Sequence, residues 1–281
     1  MRHSFAVRVG PASFRVGSDW RAPVRALERL YAGYPQPAVP DFTVRLEAVR
    51  PWRRWIRPSA AIAGDYALPD AAPVALAHGL LAAEMGMNLQ MALGARRWLL
   101  LHAASLERNG RALILTGASG SGKSTLAALL GDRGWRLLGD EFALLDPASG
   151  ELHPFPRALS LKNGAIALFP EERLGPLLAA TPKGDIRHLR PNGDAVARMD
   201  EPAAPALILF PRFGHAAAER AMGGSEVFMR LTQASTNYVR LGEAGFDALT
   251  RLVTTLPARA IDYPDTDSAV ALVERLWAEL A

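Results

Sequence analysis

The chain has no cysteine among its 281 residues. That excludes a disulfide framework, a thiolate metal site and a cysteine nucleophile. No apolar run approaches the length that spans a bilayer, so no membrane partner is expected. The opening residues Met1-Arg2-His3-Ser4-Phe5 lead into alternating positions without the continuous apolar stretch of a secretory signal. Tandem repeats and long low-complexity tracts are absent, although alanine is heavily used. Charge imbalance is also slight, and a net +4 does not by itself imply a nucleic-acid partner. A cytoplasmic location follows as the expectation. What remains is an ordinary globular composition, 49% hydrophobic, in a chain long enough for one large domain or two unequal ones.

Against that plain background one stretch stands out, Gly117-Ala118-Ser119-Gly120-Ser121-Gly122-Lys123-Ser124-Thr125. It reads G-x-x-x-x-G-K-S, preceded by the apolar run Leu113-Ile114-Leu115 and followed by Leu126-Ala127-Ala128-Leu129-Leu130. A buried strand feeding a glycine-rich turn that opens a helix is the context a P-loop requires. The glycines free the backbone to turn successive N–H groups toward one anion. The helix N-terminus adds partial positive charge, Lys123 a full one, and the Ser124 hydroxyl can ligate Mg²⁺. A plain Gly/Ser turn would not need the lysine. The expected cofactors are therefore ATP and Mg²⁺, in an α/β fold.

Around this centre the pattern predicts two parts. Residues 1–72 form a small β-rich N-terminal module, with alternating strands at Phe5–Val9 and Phe42–Val49 and a helix over Ala22–Tyr31. Within it, residues 50–57 (Arg-Pro-Trp-Arg-Arg-Trp-Ile-Arg) can bind phosphate or an acidic peptide, or simply be a strand edge with packed tryptophans and solvated arginines. Residues 73–281 form the catalytic domain, opening on a largely buried helix over Pro73–Arg97. Trp98–His102 reads as a strand, and residues 108–111 as a hairpin turn into the P-loop strand. After the P-loop helix, Trp135–Gly139 is an apolar strand ending in Asp140-Glu141, where Mg²⁺ and an attacking nucleophile are managed beside a P-loop. A hairpin over 142–153 and a strand over 156–164 follow. The turn-rich, basic segment Thr181–Gly193 has the composition of a mobile loop, or of a plain exposed connection. A strand at Ala206–Pro211, helices at Gly245–Leu256 and Asp267–Leu280, and a short strand between them complete the chain.

The segment from His102 to Gly164 resembles the catalytic domain of HPr kinase/phosphorylase. It carries a His on the strand before the P-loop hairpin, then the P-loop at Gly117–Thr125, then the acidic pair Asp140-Glu141. With its preceding helix and its Lys183-Gly184…His188-Leu189-Arg190-Pro191 loop, the whole chain looks closer to the HprK-related kinases. These are divergent HPr-kinase-like P-loop kinases that include lasso-peptide tailoring kinases. The resemblance implies a P-loop HPr-kinase-like catalytic domain that moves a phosphoryl group from ATP to a serine-type hydroxyl of a protein or peptide. On that pattern Lys123 holds the β- and γ-phosphates and Ser124 the Mg²⁺. Asp140 is the base, Glu141 aids the metal, and His102 supports Asp140. The chain departs from the bifunctional enzymes in having Asp140-Glu141 where they have two aspartates. It also has Ser160-Leu161-Lys162-Asn163 where they have Glu-Ile-Arg-Gly, so Lys162 stands in for an arginine as a point charge. The resemblance therefore extends neither to the reverse, phosphorolytic activity nor to HPr as acceptor. A homo-oligomer is compatible with it. Two other readings fit the same residues: a P-loop nucleotide-binding regulator, and a small-molecule kinase.

Overall fold

The computed structural model describes residues 1–181 and 183–280; Pro182, inside the basic segment read as a loop, lies outside the described residues. The chain divides into two compact units, Met1–Ala95 with Ser160–Arg190, and Arg96–Leu159 with Pro191–Ala281.

The first unit opens with strands β1 (His3–Val9), β2 (Ala12–Ser18), β3 (Phe42–Ala48), β4 (Ser59–Gly64) and β5 (Val74–Ala75), hydrogen-bonded in that order. Helix α1 (Arg21–Leu30) turns Val24, Leu27 and Leu30 inward. Each such burial contributes about 1.5–3 kcal/mol. Helix α2 (Gly79–Gly94) starts later than the expected Pro73, because Val74 and Ala75 are drawn into the sheet against Ala60 and Ser59. It also packs on this sheet. A Cβ on Gly86 would stand 2.4 Å from Val44 Cγ1 and one on Gly94 2.5 Å from Phe42 Cε1, so only glycine permits so close an approach. Gln90 seals the contact by donating to Tyr66 O and accepting from Tyr66 N. The compact units thus depart from a boundary at 72/73, since α2 belongs with the N-terminal strands.

The chain then enters the second unit with β6 (Leu99–Leu101), β7 (Ala103–Arg108), β8 (Arg111–Thr116), α3 (Lys123–Asp132), β9 (Arg136–Gly139), β10 (Ala143–Leu145) and β11 (Leu152–His153). It returns to the first unit with β12 (Leu159–Lys162), β13 (Leu178–Thr181) and β14 (Gly184–Leu189), a sheet of order β12-β14-β13. The segment expected as an open loop is therefore largely a strand pair. Its arginines are tied down: Arg187 donates to Gly175 O and pairs with Glu171, and Arg190 donates to Ala32 O. The last stretch adds α4 (Gly193–Ala197), β15 (Ala204–Phe213), β16 (Ala218–Ala221), α5 (Gly224–Ala234), α6 (Tyr238–Leu241), α7 (Glu243–Thr255), β17 (Ala258–Tyr263) and α8 (Thr266–Ala278).

The second unit is built on a six-stranded sheet of order β16-β17-β15-β8-β7-β9. Strands β17, β15 and β8 run parallel, β7 runs antiparallel to both β8 and β9, and β16 antiparallel to β17. The tight turn between β7 and β8 puts Asn109 and Gly110 at φ +55° and +76°, the twist a two-residue hairpin demands. Its core gathers Ile114, Leu138, Ile208, Phe210, Leu231, Leu249 and their neighbours. Among the described residues, no helix is long and apolar enough to cross a membrane.

Candidate functional site

The strand directions of the second unit bring several chain segments to one edge of its sheet. Strand β8 ends there at Thr116, and the parallel β15 and β17 end beside it at Phe213 and Tyr263. Strand β7, running the other way, begins there: Ala103 faces Thr116, so His102 lies at the same edge. Strand β9 ends there, with Gly139 opposite Ser105 and Asp140 next in the chain. Ligands of open α/β sheets bind outside the carboxyl ends of their parallel strands.

The loop leaving β8 holds Gly120 and Gly122 at φ +83° and +96°, a region that side chains penalise. Gly122 is also crowded: a Cβ there would lie 2.9 Å from Tyr263 Oη and 3.3 Å from Phe213 Cβ. The loop is pinned from the β15 side, where the Phe213 amide donates to Ser121 O at 3.3 Å. Helix α3 then opens on Lys123, and the amides of its first turn have no partner within the helix. Lys123, only 7% exposed, folds back to donate to Gly117 O at 2.8 Å and Ala118 O at 3.0 Å. Among the described residues the Ser121 hydroxyl oxygen, though buried, has no hydrogen-bond partner. Converging amides, a helix N-terminus, a lysine and a hydroxyl suit a phosphate group. Ser124 follows Lys123 on the first turn, half-buried, as an oxygen donor.

The two acids after β9 differ. Asp140 is buried, at 4% exposure, while Glu141 is half-buried. The resemblance sets His102 to support Asp140; here its ring is held by Glu141. His102 Nδ1 lies 3.2 Å from the Glu141 carbonyl oxygen and 3.7 Å from its carboxylate. A carbonyl only accepts, so Nδ1 carries a proton. Lys162 stands at the end of β12, in the first compact unit. Among the described residues no three His, Asp or Glu side chains converge into a metal cage. Mg²⁺ does not require one, since it keeps its waters and binds through one or two protein oxygens together with phosphate. Ser124 and the two acids fit that donor chemistry.

Sequence reasoning did not single out Phe213 and Tyr263. The strand read as Ala206–Pro211 runs on to Phe213, because Pro211 lies opposite Ile261 of a parallel neighbour and does not break it. Tyr263 is 2% exposed, its hydroxyl has no partner among the described residues, and burial pushes its pKa above the usual phenol range. The signal that finds both residues is position, the carboxyl ends of strands parallel to β8.

No family model and no curated protein matches the chain. Among solved structures it is similar to the Hpr(Ser) kinase/phosphatase from Coxiella burnetii, at 16% identity, over 64% of this chain and 98% of that one. The TM-score is 0.29, a likeness too loose to carry an argument about this chain.

Proposed function

We propose that the chain is a Mg²⁺- and ATP-dependent kinase that phosphorylates a hydroxyl, of the serine type, on a protein or peptide. One observation supports this above the rest: the glycine-rich loop with Lys123 and the buried Asp140 share one edge of one sheet. Bound Mg·ATP supplies the phosphoryl group, which passes through a loose transition state, so the protein's task is positioning and charge stabilisation. Lys123 exchanges its bonds to Gly117 O and Ala118 O for phosphate oxygens, and the amides opening α3 hold the rest of the chain of phosphates. Ser124 and Glu141 offer oxygen to the metal. Asp140 takes the proton of the acceptor hydroxyl as the P–O bond forms, a transfer that needs a carboxylate within hydrogen-bond reach. Glu141 anchors His102. The first unit, with its exposed cationic segment, recognises the acceptor.

The test is paired and uses Asp140→Asn, which keeps the size and removes the base. Calorimetry is expected to show Mg·ATP still bound. Mass spectrometry of peptide acceptors is expected to show transfer reduced by about 100-fold or more. Transfer near the wild-type rate would remove Asp140 as the base. ATP turnover by the wild type that ignores every acceptor would favour a nucleotide-driven regulator instead.

A further inference from the structure

Phe213 is half in water, at 51% exposure, although it ends a strand whose preceding residues Ile208, Leu209 and Phe210 are all buried. An exposed aromatic ring is unremarkable by itself. Its surroundings are not. Its amide is bonded to Ser121 O of the glycine-rich loop, and its Cβ lies 3.3 Å from where a Cβ on Gly122 would stand. Beneath it the ring of Tyr263 is buried, with centroids 6.1 Å apart and planes at 60°. Tyr263 in turn abuts Gly122, and its backbone carbonyl accepts from the Gly214 amide at 2.9 Å. The Phe213 ring is therefore braced against a rigid floor, beside the loop, with part of its surface open.

The order of the sheet decides which part of a nucleotide comes here. Asp140 follows β9, on one side of β8, and Phe213 ends β15, on the other. If the reacting phosphate points toward Asp140, the nucleoside must leave the loop on the β15 side. Resting on the kinase reading above, we infer that Phe213 is the platform on which the base of the nucleoside triphosphate stacks. The flanking cation is already committed: Arg212 makes two bonds to Asp262, at 2.7 and 2.5 Å. The ring is thus left as the contact for an uncharged, planar, π-faced group. A base fits that description and a further phosphate does not.

Calorimetry with two probes, Mg·ATP and inorganic tripolyphosphate, separates base from phosphate. Phe213→Ala is expected to weaken ATP by about 5- to 150-fold, the range that loss of one base–aromatic stack gives. It is expected to leave tripolyphosphate within about twofold of wild type, and Phe213→Tyr to restore ATP binding. Unchanged ATP affinity in Phe213→Ala overturns the inference. So does equal weakening of both probes, which would mean that the ring only props Ser121 and Gly122. So does a wild type that binds tripolyphosphate as tightly as ATP. A wild type that binds neither probe would bring down the kinase reading itself, and the inference with it.

Discussion

At the residue scale the loop is described by where its one lysine sits. Lys123 is nearly buried and bonded to two carbonyls of the loop it follows, so its charge is held at the spot where, on the proposed reading, phosphate charge is met. Charge in a water-poor site is worth more than at the surface, because little solvent screens it. Lys123→Ala or Lys123→Met should therefore lower phosphoryl transfer by at least about 100-fold, the cost of losing one preorganised electrostatic stabiliser. Steady-state transfer to any working acceptor is the measurement. A variant with near wild-type turnover would mean that this loop is not the catalytic one. The lysine, the glycines and the acid pair stand out in the sequence, because each is a residue type that a phosphate site would need at fixed spacing. Phe213 and Tyr263 do not, because an aromatic at a strand end carries no local signature. Their meaning comes only from the parallel pairing of β15 with β8 and β17.

At the element scale, alternating, amphipathic and continuously apolar segments were readable, while two strands of the first sheet were not. Strands β1 and β3 and helices α1, α7 and α8 follow their apolar spacing. Strand β2 is buried at nearly every position and β4 is built of small residues, so neither shows the period-two alternation that marks a strand. The antiparallel trio β8-β7-β9 depends on a contact that the sequence does not announce, the buried pair Glu107–Arg136 at 2.6 Å. Glu107 also accepts from the Gly110 amide of the hairpin turn, and Arg136 donates to the carbonyls of Arg198 and Glu201. Burial alone would raise the Glu107 pKa, but the bonds from Arg136 and Gly110 and the charge of Arg198 outweigh it and hold the carboxyl below its ordinary 4.5. A depressed carboxyl stabilises the fold above its unfolded pKa and loses that contribution as pH falls through the folded value. Glu107→Gln should thus cost about 3–5 kcal/mol at neutral pH, because Arg136 is left buried without its counter-charge. The gap to wild type should narrow only below pH 4.5, where wild-type Glu107 itself becomes protonated. Urea unfolding of both proteins at neutral pH and in acid checks this, and a gap that stays constant would mean that the pair is not what holds these strands.

At the scale of the whole molecule, the chain crosses between its two compact units three times, and no single cut in the sequence separates them. Helix α2 explains why a boundary at 72/73 was the natural expectation. It is apolar on nearly every side, which announces burial without saying against which partner. The choice is made by the glycines that let it lie on β3. The first unit also carries the feature whose role the sequence left open. In residues 50–57, Trp52, Trp55 and Ile56 stand 50%, 72% and 65% exposed, so the tryptophans are not the packed strand edge that was one of the two readings. Arg54 is spoken for by Asp19 at 2.5 Å, while Arg50 stacks over Trp52 and Arg53 donates to the Arg57 carbonyl. Arg50, Arg53 and Arg57 thus form a cationic surface interleaved with exposed indoles, and an acidic, aromatic-bearing peptide complements it. If this surface recruits the acceptor, Arg50→Glu, Arg53→Glu and Arg57→Glu combined should leave Mg·ATP affinity unchanged by calorimetry. The same variant should lower kcat/KM for an acidic peptide acceptor by about tenfold or more at low salt, because complementary charge acts chiefly on the rate of encounter. Screening shortens the reach of surface charge to about 8 Å at physiological ionic strength and about 3 Å at 1 M, so the difference should shrink as salt is added. A variant that phosphorylates acidic peptides as fast as wild type at low salt would show that acceptor recognition lies elsewhere. A loss that is independent of salt would point to the exposed tryptophans and their packing rather than to the arginines' charge.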